Sequence, residues 1–474
     1  MLMFDIQGST PSCLFDYVEV FDGQGVTSRS FGRFCGNMFP RDLTSSSNYM
    51  YIVFTTDSSG TYKGFSGNYF TRGRSSIIQA DNGNIVSPGF PIGYQNNMYF
   101  TWTIVGSPGT FITLNFTTLD LGGSLESCVS DYIELHDGAG SGDPRYPKLC
   151  GSVTPGLLAS TSNYMYLVFR TDASVTRRGF NVTFYTQGQN ILLQTPAGDI
   201  VSPGFPIRYL NNKDYRWTIS GTYGSYLVLN ITMLDLGSIS APCSNDYLEF
   251  YDAANQALGR VCGNVSPVLI TSTNEYMKIV FRSDSSATFK GFSAHFSSQG
   301  STLEGSSGVL ISPGFPFSYK NSAVYSWFIT GIAGSFIVLN IDVLDIQGPS
   351  PTCSFDYLQI VDSDGSTQLA RLCGSGGSIV TASTGTSMSV YFRTDNSVVY
   401  KGFTGNYYTQ SSSSTLRKPS GYLVSPGFPR FFLNNKVYDW TVEGTGGAFV
   451  IFNLPDFYIR PFWHATKLRV PKWI

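Results

Sequence analysis

Charge is scarce in this 474-residue chain: Asp, Glu, Lys and Arg make up 13% of it, and the net charge is −2. So little charge excludes long solvated helices and the basic footprint that nucleic acid requires. Runs rich in Ala, Glu, Lys and Leu, which would carry helices, are missing as well. No apolar run of about 18 residues occurs, so no membrane helix is expected. The start Met1-Leu2-Met3-Phe4 has neither the basic region nor the apolar stretch of a signal peptide. Histidine is confined to His136, His295 and His464. What the chain does have is 50 Gly, 15% aromatics and abundant Ser and Thr. That mixture suits short strands joined by tight turns, and the expected fold class is all-β.

The eight cysteines fall into four couples: Cys13 with Cys35, Cys128 with Cys150, Cys243 with Cys262, and Cys353 with Cys373. Metal knuckles need CxxC spacing with histidine close by, and neither is present. Evenly spaced couples read as one disulfide per domain, which implies an oxidising compartment outside the cytosol. Each staple would stabilise its domain by about 3 kcal/mol in the loop-entropy picture.

Self-comparison uncovers a repeat. Ser-Pro-Gly-Phe-Pro begins at Ser87, Ser202, Ser312 and Ser425, and a Trp follows each time at Trp102, Trp217, Trp327 and Trp440. A Leu-Asp-hydrophobic corner comes next, at Leu119-Asp120-Leu121, Leu234-Asp235-Leu236 and Leu344-Asp345-Ile346. Cys-x-x-Asp-Tyr starts at Cys13, Cys128, Cys243 and Cys353, Cys-Gly follows, and the unit closes on Gly-Phe. The period, about 110 residues, is that of a whole domain. Phe4-Asp5-Ile6-Gln7-Gly8 aligns with Leu344-Asp345-Ile346-Gln347-Gly348, so residues 1–72 are expected to be the second half of a unit. Whole units are expected at 76–186, 190–298 and 303–410, and a partial one at 415–474 whose tail diverges from about residue 454. The short polar linkers between units place neighbouring domains close together.

Alternation at period two marks the strands. In Ile112-Thr113-Leu114-Asn115-Phe116, residues 112, 114 and 116 are predicted to face a core while Asn115 faces solvent. Met165, Leu167 and Phe169 form another apolar face, and Ile133 and Leu135 a third. Two aromatic-filled faces with frequent polar turns describe a sandwich. Asn115, Asn181, Asn230 and Asn264 each open an Asn-x-Ser/Thr sequon, so all four are candidate glycosylation sites.

These elements in this order resemble the CUB domain: Ser-Pro-Gly-Phe-Pro, then Tyr94 and Asn96, the Trp102 strand, the Leu-Asp-Leu corner, Cys128-x-x-Asp131-Tyr132, Cys150-Gly151, the strand ending in Asp172, and Gly179-Phe180. The likeness runs over residues 1–453, and it implies tandem antiparallel, jelly-roll-like β-sandwiches with one disulfide each. Many CUB domains carry a second disulfide, with one cysteine two residues before the strand Trp. Those positions here are Phe100, Tyr215, Tyr325 and Tyr438. Burial of an aromatic ring, about 2–3 kcal/mol, compares well with a short-loop staple.

The resemblance also implies a candidate Ca²⁺ site. Calcium-binding members hold the ion with a Glu after the corner, the Asp of Asp-Tyr and the Asp ending a later strand, supported by a Tyr near the start. The loaded site captures a Lys or Arg of a partner. The two aspartates are present throughout, as Asp16 and Asp57, Asp131 and Asp172, Asp246 and Asp284, and Asp356 and Asp395. The Glu position reads Gln7, Gly122, Gly237 and Gln347. Calcium affinity rises with ligand charge, so any Ca²⁺ binding is expected to be weak and best in the Gln7 and Gln347 units. Glu126 is close in sequence but out of register. The plain alternative is that the aspartates cap loops and satisfy backbone N–H groups.

Nothing in the repeat points to catalysis. A repeated hydrolytic site would place His identically in each unit, and the three histidines occupy non-equivalent positions. The Ser-Pro-Gly-Phe-Pro string is turn chemistry and lacks the Gly-Lys-Ser/Thr of a phosphate loop. The expectation is therefore a non-catalytic extracellular array, secreted or part of an ectodomain, binding proteins or glycoproteins and neither nucleic acid nor membrane. Two alternatives have the same building blocks: the substrate-docking arm of an astacin-type or complement-type protease, and a structural matrix protein.

Overall fold

The computed structural model describes residues 3–8, 12–37, 43–69, 71–124, 127–237, 243–417, 420–444 and 450–451. Among them every regular element is a strand. In the unit that follows the first one, Tyr99–Val105 carries Trp102 and pairs with Tyr164–Arg170, which in turn pairs with Tyr132–His136. Ser75–Gln79 adds to Tyr99–Val105 in parallel and completes this sheet. The facing sheet runs Leu158–Ala159, Phe111–Asp120, Gly179–Gln187, Asn82–Val86, all antiparallel. Alternation aims Trp102, Ile104, Ile133, Leu135, Met165, Leu167, Phe169, Leu114 and Phe180 into the gap between the sheets, where all are buried. Each large side chain buried there contributes about 1.5–3 kcal/mol.

The same two sheets recur around Trp217 and around Trp327, with only small changes in the short edge strands. In all three sandwiches the long strand slips register at one place, next to Phe116, Ile231 and Ile341. The described part of the first unit pairs Arg29–Phe34, Tyr17–Asp22 and Tyr51–Thr55 in one sheet and Met3–Asp5 with Gly64–Ser66 in the other. Its buried cluster joins Phe4, Ile6, Val18 and Val20 to the first disulfide.

Disulfides join Cys13–Cys35, Cys128–Cys150, Cys243–Cys262 and Cys353–Cys373, with Cα separations of 5.5 to 5.7 Å. No free cysteine remains. Each bridge ties the loop before the Asp-Tyr strand to the end of the hairpin beside it, so the Asp-Tyr pair starts from a fixed point. Gly179, Gly291 and Gly402 have φ of +100°, +92° and +94°. A side chain at Gly179 would lie 1.9 Å from Ser87 Oγ. That hydroxyl accepts the Phe180 N–H at 3.0 Å, so the Ser-Pro-Gly-Phe-Pro turn and the closing Gly-Phe are locked together.

Candidate functional site

The buried aspartate of Asp-Tyr organises one end of every sandwich. Asp131 is 1% exposed. Its Oδ2 accepts the Tyr94 hydroxyl at 2.5 Å, and its Oδ1 accepts the Asp172 N–H at 2.8 Å. Tyr94 Oη accepts the Gly122 N–H at 2.8 Å. The next unit repeats this with Tyr209 on Asp246 at 2.5 Å and the Asp284 N–H on Asp246 at 2.7 Å. In the following one Tyr319 binds Asp356 at 2.6 Å, the Asp395 N–H binds Asp356 at 2.6 Å, and the Gln347 N–H reaches Tyr319 Oη at 3.1 Å. In the first unit the Asp57 N–H donates to Asp16 at 2.7 Å. Burial, reinforced by the bond to the carboxylate, raises Tyr94, Tyr209 and Tyr319 above the ordinary phenol range.

The second aspartate of each pair sits nearer to solvent and faces its own loop. Asp172 Oδ1 accepts both the Ser174 N–H and the Ser174 hydroxyl at 2.7 Å. Ser59, Ser286 and Ser397 do the same for Asp57, Asp284 and Asp395. Those serine bonds hold Asp172 and Asp284 below 3.8. The structure therefore brings together every aspartate pair that the sequence singled out, and gives each member loop-ordering work.

The position of the missing Glu divides the units. A side chain at Gly122 would meet Asp131 Oδ2 at 2.5 Å and Val175 O at 3.1 Å. At Gly237, where φ is +83°, it would meet the Phe289 ring at 2.3 Å. Both positions are closed to a carboxylate. Gln7 Oε1, by contrast, is buried with no hydrogen-bond partner, and the Gln347 amide lies 3.2 Å from Ser397 Oγ. Among the described residues no cluster of three or more His, Cys, Asp or Glu could hold a metal. The donor set of the Gln units is two carboxylates and one amide, a set that fits Ca²⁺ weakly; the Gly units do not fit it. Glu126 lies outside the described residues.

The remaining predicted residues are scattered. Asn115 and Asn264 are exposed, while Asn181 and Asn230 are half-buried with Oδ1 buried and without a partner. His136 is a buried strand residue whose Nδ1 is 3.1 Å from Asp143 O. His295 is exposed and lies 2.7 Å from Asp199. His464 is outside the described residues.

Four bridged units in tandem, three of them ending in the same Tyr-Asp-backbone knot and the first keeping its Asp16–Asp57 bond, define a modular β-sandwich array. The chain belongs to the CUB domain family, whose model matches residues 1–69, 73–184, 188–296 and 299–407. It is similar to cubilin of Rattus norvegicus, with 29% identity over 464 residues, 95% of this chain and 13% of that protein. Identity to Homo sapiens cubilin is 30%, with the same shares. Tolloid-like protein 1 of Homo sapiens is 27% identical over 490 residues, 83% of this chain and 48% of that one. The chain thus spans 13% of the cubilin length. Among solved structures it is similar to the CUB1-EGF-CUB2 domain of human MASP-1/3, 23% identical over 45% of this chain and 100% of the other, with a TM-score of 0.22. The MASP-1 CUB2 domain bound to Ca²⁺ is 26% identical over 23% of this chain and 96% of the other, with a TM-score of 0.22.

The sequence reading missed a second recurrent feature. Phe111 and Thr113, which alternation leaves on the outer face of their strand, are fully buried. The signal was in the repeat: an aromatic stands at this position as Phe111, Tyr226 and Phe336.

Proposed function

We propose that this chain is a non-catalytic, extracellular ligand-binding array of the cubilin kind, whose knotted ends present loops to proteins or glycoproteins. The observation that carries this reading is the repetition of one Tyr-Asp-backbone knot beneath loops that differ between units. A fixed base with variable rims, repeated along one chain, suits binding by avidity. It does not suit catalysis, which needs one constellation of nucleophile, base and orienting group. Contiguity of the units favours this reading, since no other module separates the matched stretches. In the same reading the partial unit at 415–474 belongs to the array, and the exposed sequons, Asn115 and Asn264, carry glycans on its surface. The similarity to tolloid-like protein 1 supports a second reading, the docking arm of a protease. Sequencing the whole transcript decides between them: an HExxH segment in the same frame overturns the receptor-like choice.

Calcium enters as a weak adjunct. In the Gln347 unit Asp356, Asp395 and the Gln347 amide would hold it, and Asp16, Asp57 and Gln7 in the first. When bound, the ion would add positive charge and order the loops around a basic side chain of the ligand. Calorimetry of the whole chain with CaCl₂ is expected to give millimolar binding, tightened at least about tenfold by Gln347→Glu, which adds a carboxylate. Gly122→Glu is expected to add no binding. A lysine-rich peptide should then bind in CaCl₂ and be released by EDTA. Absence of heat at millimolar CaCl₂ in both the native chain and Gln347→Glu disposes of the calcium clause.

A further inference from the structure

We propose that the Ser-Pro-Gly-Phe-Pro turn of each unit is a plug that docks on the open sheet edge of the unit before it, so that successive units form one body with fixed spacing. The edge strand of the second unit, Leu158–Ala159, pairs with Phe111–Asp120 on one side only. On its other side the Ala159 N–H donates to Phe205 O at 2.9 Å, and the Gly204 N–H donates to Ser160 O at 3.1 Å. The next joint has the Thr271 N–H on Phe315 O at 2.8 Å and the Gly314 N–H on Ser272 O at 3.2 Å. The one after it has the Ala382 N–H on Phe428 O at 2.8 Å and the Gly427 N–H on Ala382 O at 3.1 Å. The first joint uses Thr44 for both bonds, to Phe90 O at 3.3 Å and from the Gly89 N–H at 3.1 Å. Four joints, one pattern. An unpaired edge is an aggregation template, and here the following unit covers it.

Apolar burial crosses the joints too. Phe111, Leu157 and Ala159 belong to the same buried cluster as the core around Trp217. Tyr226 belongs to the core around Trp327, and Phe336, Val338 and Ala382 pack with Val424, Phe428 and Trp440. At two joints the ring two residues before the strand Trp meets the preceding unit. Tyr215 packs edge-on against Phe111 at 5.5 Å, and Tyr438 against Phe336 at 6.5 Å. These are positions where many family members carry a cysteine. The joint also has its own support beneath it. Asp22 accepts the Ser46 N–H at 2.7 Å, Asp137 the Thr161 N–H at 2.8 Å, and Asp362 the Thr384 N–H at 2.8 Å, each bracing the receiving loop. The plug therefore meets a loop that its own unit has already set.

This follows from the backbone and the packing whether or not the outer loops bind calcium. Hydrogen exchange on the whole native chain tests it. The amides of Ala159, Thr271 and Ala382 find partners only across a joint, and they are expected to exchange at least about 100-fold more slowly than exposed loop amides such as Gly142 or Gly156. Small-angle scattering of the same sample should fit a single rigid arrangement of the described units. Loop-like exchange at these three amides, or scattering that requires freely rotating units, overturns the proposal.

Discussion

Asp137 and Asp172 stand in one sandwich with the same side chain, and their surroundings push them in opposite directions. Burial raises Asp137 above 3.8, although hydrogen bonds from Thr161 partly oppose this. The serine bonds lower Asp172 below the same value. The signs for stability differ accordingly. Asp172 contributes stability in full above its unfolded value and loses it as the pH falls through its lowered folded value. Asp137 holds its proton more tightly in the folded chain, so it opposes folding above its raised value, and acid relieves that penalty. Carboxyl NMR titration of the whole chain should find the two midpoints on opposite sides of 3.8; midpoints on one side would refute the assignment. Repetition made both aspartates of each pair legible in the sequence. It could not show that Tyr94 closes the knot by donating to Asp131 and accepting from Gly122, because sequence order does not say which residues meet across a sandwich.

At the scale of the strand, alternation identified Ile112, Leu114 and Phe116 as core and Asn115 as exposed, and the burial agrees. Alternation assumes that one face meets water, so it gives no reason for the burial of Phe111 on the opposite face, which packs into the core of the next unit. The same strand decides which sequons accommodate a glycan. Asn115 stands exposed opposite Thr183, and the register slip after Phe116 sets Thr117 outside the ladder, its Oγ1 on Asn181 O at 3.2 Å. Asn230 occupies the equivalent place in its own strand, opposite His295, but is half-buried. Asn181 is likewise half-buried. A glycan on either of those two would have to draw a partly covered amide into solvent. Glycopeptide mapping of protein from a secretory host is expected to find Asn115 and Asn264 occupied and Asn181 and Asn230 largely bare. Full occupancy at Asn181 in folded protein contradicts this.

Across the molecule two successive joints share their backbone bonds and differ in the ring that faces the strand Trp, Phe111 in one and Tyr226 in the other, and that difference is a natural experiment. Tyr226 sends its hydroxyl over the joint to Ile311 O at 2.8 Å and receives the Trp327 indole N–H at 3.2 Å. The preceding joint has Phe111 in the same place, and there Trp217 Nε1 is buried with no partner. An unpaired buried donor costs about 1–3 kcal/mol. Phe111→Tyr should supply the absent oxygen and stabilise the chain by about 1 kcal/mol, provided that the two joints are congruent. Tyr226→Phe should remove it and destabilise by about 1–2 kcal/mol, since both the Trp327 donor and the Ile311 carbonyl lose a partner. Denaturant midpoints of the two variants, compared with the native chain at equal m-value, give both signs in one measurement. If both substitutions destabilise equally, the cavity around Phe111 has no room for a hydroxyl and the joints differ in more than one atom. If neither moves the midpoint, these rings are not held between units at all, because a donor that reaches water in a loose joint has nothing to gain from a tyrosine.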